Sequence, residues 1–159
     1  MDALGYKGPG PEPDGDPTAD SETNSGDTYA STYTEDGSYG PIDGVFAKFR
    51  QDGNGVIDPG EGNDAHAGVD GQFDRWCQKL ASLNFAGKND WHRPTKDELV
   101  GLYSYVGESL WDALGWPTYH YYWSLTVNGS NYSSVRLIYG TVNSYIPDYE
   151  YYASCVSNP

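Results

Sequence analysis

The chain has 159 residues, a mean hydropathy of −0.69 and a net charge of −14, and this length suits one domain of ordinary size with a tail. Acidic residues outnumber basic ones 23 to 9 and no cluster of Lys and Arg occurs, so nucleic acid is excluded as a partner. No run of about 18 apolar residues is present, which excludes direct insertion into a membrane.

The acidic character is concentrated at the start of the chain. Residues 1–42 are rich in Gly, Pro, Ser, Thr and Asp, and their apolar residues follow neither a helical nor a strand period. Prolines such as Pro9 and Pro11 do not fit a helix interior or a central strand. We therefore predict an irregular acidic arm or linker over 1–42 and a folded domain over 43–159.

Residues 46–61 resemble an EF-hand calcium loop that follows a short apolar helix. In that alignment the ligand positions are held by Asp52, Asn54, the Val56 carbonyl, Asp58 and Glu61. Arg50 stands where the first carboxylate is expected, so Asp64 or Asp70 would have to replace that ligand. Two interpretations follow, a Ca²⁺ site, which would be the chain's only cofactor, and a glycine-rich acidic turn that binds no metal.

Two helices are predicted after this loop. Apolar residues three and four positions apart predict the first helix over 71–83. The second begins at Thr95, because Thr95 and Glu98 form a capping box, and Gly107 ends it. The apolar positions of the two helices are Phe73, Trp76, Cys77, Leu80, Leu83, Leu99, Leu102, Tyr103 and Val106.

Three aromatic and β-branched runs predict antiparallel strands in the last third of the chain. They cover 119–126, 133–139 and 149–156, and Asn-Gly-Ser, Tyr-Gly and Ile-Pro-Asp turn sequences separate them. Two helices followed by several antiparallel strands indicate the α+β class.

Cys77 and Cys155 are the only cysteines. They could form a disulfide, a weak metal pair or two free thiols. Each lies in a predicted helix or strand, and neither has a second Cys or His at metal-ligand spacing, which favours the disulfide. A disulfide would place the domain in an oxidising, extracellular compartment.

A longer motif carries a family resemblance. Residues 90–99, Asp-Trp-His-Arg-Pro-Thr-Lys-Asp-Glu-Leu, resemble the Trp-Arg-Leu-Pro-Thr-x-x-Glu-Leu motif of a bacterial domain family. Residues 76–80, the Tyr-Trp-Ser run at 122–126 and the closing 153–156 are similar to other landmarks of the same family, in order and spacing. This family is found at the C-terminus of the Lcl collagen-like adhesin and in invasin/intimin-like surface proteins.

The resemblance implies a C-type lectin-like fold in which two helices flank a twisted antiparallel sheet. It implies a secreted or cell-surface adhesin that is part of a longer protein, with a glycan or a protein on a host or neighbouring cell as partner. Catalysis is not expected, since His66, His92 and His120 are scattered and no nucleophile motif is present. The alternatives are a structural or oligomerising cap and, with less support, a formylglycine-type oxidase.

The loop-and-strand region after the second helix is predicted to bind the ligand, because aromatic faces stack on sugars and nearby amides bond to hydroxyls. Its candidate residues are Trp111, Trp116, Tyr119, His120, Tyr121, Asn128, Asn131 and Tyr132. Among them Trp116, Tyr119 and His120 are expected to be exposed, whereas the neighbouring Tyr122 and Trp123 are expected in the core.

Overall fold

A computed structural model of the chain describes residues 6–7, 30–40, 42–43, 45–57, 61–64, 66–106 and 116–158. Within these ranges the helices are α1 (Gln72–Ser82) and α2 (Lys96–Val106), and a short 3₁₀ turn covers Phe85–Gly87. The strands are β1 (Tyr6–Lys7), β2 (Ser31–Thr34), β3 (Val45–Lys48), β4 (Glu61–Asn63), β5 (Tyr121–Asn128), β6 (Asn131–Arg136), β7 (Thr141–Tyr145) and β8 (Cys155–Val156).

The centre of the fold is an antiparallel sheet with the strand order β4-β5-β6-β7. Asn128 pairs with Asn131 across the tight turn between β5 and β6, as the Asn-Gly-Ser sequence predicts. Two smaller antiparallel pairs, β2 with β3 and β1 with β8, lie outside this sheet. The α+β class is confirmed, and no described helix is long and apolar enough to cross a bilayer.

Each face of the sheet packs against one helix. Trp123 and Val127 of β5 share a core with α1, whereas Tyr122 of β5 and Val135 of β6 share a second core with α2. Neighbouring residues of a strand point to opposite faces, so the run of buried residues in β5 supplies both cores. The predicted core positions of Tyr122 and Trp123 are confirmed, since both side chains are fully buried.

A disulfide joins α1 to β8 at the centre of the first core. Cys77 and Cys155 are fully buried, with 5.6 Å between their Cα atoms. Both sulfurs lie among the aromatic residues that pack on α1. The predicted pairing is therefore present.

The predicted capping box also forms at the start of α2. The Thr95 hydroxyl accepts a hydrogen bond from the Glu98 amide at 3.1 Å, and the Glu98 carboxylate accepts one from the Thr95 amide at 2.9 Å. Leu99 and Leu102 then point into the second core. In the turn after β6, Gly140 lies against Tyr103 of α2, where a Cβ atom would come within 2.5 Å of the ring.

Other local predictions differ from the structure. The segment predicted as a helix in front of the EF-hand-like loop is the strand β3, and it pairs with β2. The predicted last strand is interrupted, so that only β8 and single bridges at Tyr151 and Tyr152 remain. β7 was not predicted at all, because its exposed sequence Thr-Val-Asn-Ser-Tyr carries little apolar pattern.

The described part of the predicted arm packs on the domain. Tyr33 of β2 contacts His120 with 4.6 Å between ring centroids. The Glu35 side chain, only 4% exposed, accepts a hydrogen bond of 2.6 Å from the Tyr152 hydroxyl. These long-range contacts attach residues 30–40 to the second core.

Candidate functional site

The EF-hand-like loop contacts helix α1 and the segment immediately before α1. The Asp52 carboxylate accepts a hydrogen bond from the Gln72 amide at 2.9 Å, and Asn54 forms a two-way backbone bridge with Val69. Arg50 points to Glu150, with 2.7 Å between guanidinium and carboxylate. These contacts hold the loop in place, while the second carboxylate oxygen of Asp52, Oδ2, is buried without a hydrogen-bond partner.

The suggested replacement ligands are engaged elsewhere. Asp64 accepts a hydrogen bond from the His66 amide, and Asp70 accepts one from the Gln78 side chain. Asp58 lies outside the described residues, and Glu61 is described only as part of β4. In the described ranges no group of three or more His, Cys, Asp or Glu is arranged to hold a metal. Calcium binding stays a prediction, which titration calorimetry would test.

A cleft of about 440 Å³ opens between this loop and the turns at the ends of β5 and β7. Its floor includes Gln51 and Tyr132, which are both 1% exposed. The Gln51 amide donates to the Ser124 carbonyl and accepts from Arg93, so its polar atoms are already engaged. Asp52 also lines the cleft, and its buried Oδ2 atom has no hydrogen-bond partner, so the cleft does offer an unengaged polar atom.

The predicted ligand residues fall into separate places. The expectation that Trp116 is exposed is wrong, because it is 5% exposed and stacks on Tyr122 in the second core. Tyr132 is buried beside Trp123 in the first core. Trp111 lies outside the described residues. Burial leaves Trp116 and Tyr132 unable to present a ring face to a ligand.

The remaining candidates lie at opposite ends of the sheet. Asn128 and Asn131 flank the β5–β6 turn, and Asn128 donates to the Ser144 hydroxyl. Tyr121 begins β5 seven residues earlier, roughly 23 Å away along the strand, with Tyr119 and His120 just before it. The structure therefore groups Tyr119, His120 and Tyr121 and separates them from the two asparagines.

Around Tyr121 the structure assembles an aromatic surface that the sequence pattern did not reveal. We use the name tyrosine surface for Tyr119, Tyr121, Tyr139, Tyr145, Tyr149, Tyr151, Arg136 and Asn143. Three of its rings are clearly exposed, Tyr119 at 42%, Tyr139 at 56% and Tyr149 at 46%, and the other tyrosines are half-buried. Exposed aromatic residues grouped in this way mark contact sites on proteins.

Ring contacts make the tyrosine surface continuous. Tyr145 contacts Tyr121, Tyr149 and Tyr151 with centroid distances of 5.3, 5.6 and 5.0 Å. The Asn143 side-chain amide donates to the Tyr121 hydroxyl at 2.7 Å. Burial is the main cause that raises the pKa of Tyr145 and of Tyr151, so these phenols stay neutral at physiological pH.

Arg136 lies among the rings at the other end of this surface. Its guanidinium carbon is 4.0 Å from the centroid of Tyr119, and 5.8 and 5.6 Å from those of Tyr121 and Tyr139. Its Nε donates to the Tyr119 carbonyl at 2.8 Å. Stacking and this hydrogen bond together fix the orientation of the guanidinium plane.

Residues 30–40 extend the tyrosine surface at the Tyr119 side. Tyr39 packs on Tyr119 with 4.9 Å between centroids, and its carbonyl accepts a hydrogen bond from the Thr118 amide. Tyr33 and Tyr39 are 38% and 37% exposed. In the sequence, Tyr33 and Tyr39 are isolated tyrosines in a polar segment. Nothing in that pattern indicates which rings they contact.

An exposed aromatic surface of this kind is typical of a contact site on a protein. The chain belongs to the InvE_AD adhesion domain family, whose sequence profile matches residues 64–156. No curated protein and no solved structure matches the chain. Membership identifies an adhesin-type domain of the invasin-like kind and implies display at or outside the cell surface.

Proposed function

We propose that the chain is the ligand-binding domain of a secreted or cell-surface adhesin, and that it recognises a glycan on another cell without catalysis. Membership of the adhesion domain family supports the adhesin part of this proposal. We also propose that the domain is related to the Lcl-like C-terminal domains, because the motif at 90–99 resembles theirs. The glycan is our choice over a protein partner.

The tyrosine surface is the observation that carries the proposal. Its exposed rings and neutral hydroxyls combine flat apolar faces with hydrogen-bonding groups, which is the combination that a sugar ring requires. Asn143 adds an exposed side-chain amide carbonyl. By contrast, the polar atoms of Gln51 in the cleft already bond to the protein, and Tyr132 there is only 1% exposed.

The absence of catalysis is supported by the kind of residues in this surface. It contains hydroxyls, an amide and a guanidinium, none of which is paired with a general base in the described residues. Cys77 and Cys155 are buried in a disulfide, which leaves neither sulfur as a reactive thiol for an oxidase.

A glycan array with surface variants tests the proposal. We expect the wild-type domain to bind a subset of glycans, and Tyr149→Ala and Tyr139→Ala each to weaken that binding roughly threefold to tenfold through lost stacking. The matched control is Tyr105→Ala, because Tyr105 is 79% exposed on α2, outside the tyrosine surface. Unchanged binding in both surface variants would contradict the proposed site.

The other two roles have distinct outcomes in parallel experiments. Binding to a purified host-surface protein, with no glycan bound, would indicate a protein partner. A stable oligomer in light scattering, with its interface at the tyrosine surface and no external ligand, would indicate the structural cap. A Val56→Asp variant tests whether the ligand binds in the cleft, since Val56 is 86% exposed at the rim of the cleft.

A further inference from the structure

The arginines of this acidic chain differ in what surrounds them. Arg50 forms an ion pair with Glu150 at 2.7 Å, and Arg93 bonds to Gln51 and lies 3.5 Å from Asp74. Arg136 forms no ion pair with any carboxylate in the described part of the chain. With 23 acidic and 9 basic residues in the sequence, an arginine without a carboxylate partner stands out.

The surroundings of Arg136 leave one side of its guanidinium available. Nε is engaged with the Tyr119 carbonyl, whereas the terminal nitrogens form no hydrogen bond within the described residues. The side chain is only half-buried, and neither terminal nitrogen is fully enclosed by the protein. Two parallel N–H groups on a fixed plane match the two oxygens of a carboxylate.

Resting on the proposed function, we infer that Arg136 is the specificity residue of the tyrosine surface and that its ligand is a glycan bearing a carboxylate, such as a terminal sialic or uronic acid. The carboxylate binds the terminal nitrogens of Arg136, and the attached sugar ring lies on a neighbouring tyrosine. Tyr139 suits that second contact, because its exposed ring lies 5.6 Å from the guanidinium.

The charge distribution is compatible with an anionic ligand at this place. Glu35 is buried against Tyr152, and Glu150 is paired with Arg50 and accepts a hydrogen bond from Ser31. The Lys48 Nζ lies 4.8 Å from the ring centroid of Tyr33, which contacts His120 beside Tyr119, so a second positive charge lies at the Tyr119 side of this surface. The net charge of −14 therefore does not describe the local field at Arg136.

The test compares matched glycans on the whole chain. Sialic-acid- and uronic-acid-terminated glycans are measured beside the same glycans with the carboxyl reduced to an alcohol, and beside sulfated glycans. We expect the carboxylated forms to bind roughly tenfold or more tightly than the reduced forms. Arg136→Gln is expected to abolish this difference, and Arg136→Lys to keep only part of it because the lysine lacks the planar fork.

Lys88→Gln is the control for net charge, because it removes one positive charge outside the tyrosine surface and should leave the preference intact. Circular dichroism melts identify any variant that fails to fold. Binding of neutral glycans that is unaffected by Arg136→Gln would overturn the inference while the proposed function stands. A preference for sulfated glycans alone, or for an acidic protein alone, also overturns it. No glycan binding at all removes both proposals.

Discussion

Tyrosine serves two purposes in this domain, and the two regions differ in what the ring and the hydroxyl do. In the second core Tyr122 and Tyr152 are fully buried, and each hydroxyl donates a hydrogen bond of 2.6 Å, to the Pro117 carbonyl and to Glu35 respectively. On the tyrosine surface the rings of Tyr139 and Tyr149 are about half exposed. The core hydroxyls donate to buried acceptors, whereas on the surface the Tyr121 hydroxyl accepts a hydrogen bond from the exposed Asn143.

This difference explains how a domain poor in aliphatic residues still has a core. A buried tyrosine contributes a large apolar ring, but its hydroxyl must find a partner or its burial costs free energy. The long-range partner of Tyr152 comes from residues 30–40, so the N-terminal segment completes the core. We therefore expect substitutions to divide into stability effects in the core and binding effects on the surface.

The largest stability effect is expected where the buried region is cross-linked. The double variant Cys77→Ala/Cys155→Ala removes a bond that spans 78 residues. On the chain-entropy model its loss destabilises the domain by about 4.5 kcal/mol, which corresponds to a melting temperature lower by roughly 10 to 20 °C. Differential scanning calorimetry measures the shift.

Reduction of the wild type by a thiol should reproduce the effect of the double variant. If the melting temperature falls by only a few degrees in both experiments, the sheet and helices are held by packing alone. That outcome would contradict the expectation that the disulfide makes the largest contribution to the stability of the core.

The next largest loss of stability is expected for Tyr152→Phe, because this substitution leaves the buried Glu35 carboxylate without the Tyr152 donor. Hydrogen bonds to charged groups contribute more than neutral ones, so we expect a loss of about 2 kcal/mol in the free energy of unfolding. Urea denaturation measures it. Tyr149→Phe is the matched control, since it removes the same hydroxyl from a 46% exposed ring and should change stability by less than about 0.5 kcal/mol.

Tyr122→Phe is expected to cost less, about 1 kcal/mol, because the acceptor of its hydroxyl is the neutral Pro117 carbonyl. Urea denaturation at the same pH gives the comparison. A loss equal to that of Tyr152→Phe would mean that the charge on Glu35 does not strengthen its hydrogen bond. A loss as small as in Tyr149→Phe would remove the distinction between core and surface tyrosines.

Features encoded by neighbouring residues could be predicted from the sequence. The capping box of α2, the apolar stripe of α1 and the Asn-Gly-Ser turn each depend on residues within a few positions of one another. The disulfide followed from its two cysteines lying in ordered segments. These local rules were sufficient for the α+β class.

The candidate site was predictable only in part, because it is assembled from distant segments. Tyr39 and Tyr119 are 80 residues apart in sequence, yet their rings lie 4.9 Å apart. Aromatic composition alone also cannot assign a ring to a face of the sheet, and so Trp116 and Tyr132 were placed among the ligand residues although both are buried. Strand register decides these positions, and register is a tertiary property.

His120 lies on the border between the two regions, and its expected effect on stability depends on pH. Its ring contacts exposed Tyr33 and Tyr119 on one side and buried Tyr152 on the other. Burial, followed by the positive charges of Lys48 and Arg136, lowers the pKa of His120 from 6.5 to about 4. Between pH 6.5 and 4 the unfolded chain therefore binds a proton that the folded chain does not.

Stability from this residue is fully present above pH 6.5 and falls as the pH is lowered toward 4, because the unfolded state gains the proton first. We expect urea midpoints measured at pH 7, 6 and 5 to decline more in the wild type than in His120→Gln, which cannot titrate. His66→Gln is the matched control, since His66 is exposed, and it should follow the wild type. If the urea midpoint of His120→Gln declines as steeply with pH as that of the wild type, His120 takes up its proton equally in the folded and unfolded states. Its burial then does not affect stability, and it behaves like a residue of the exposed region.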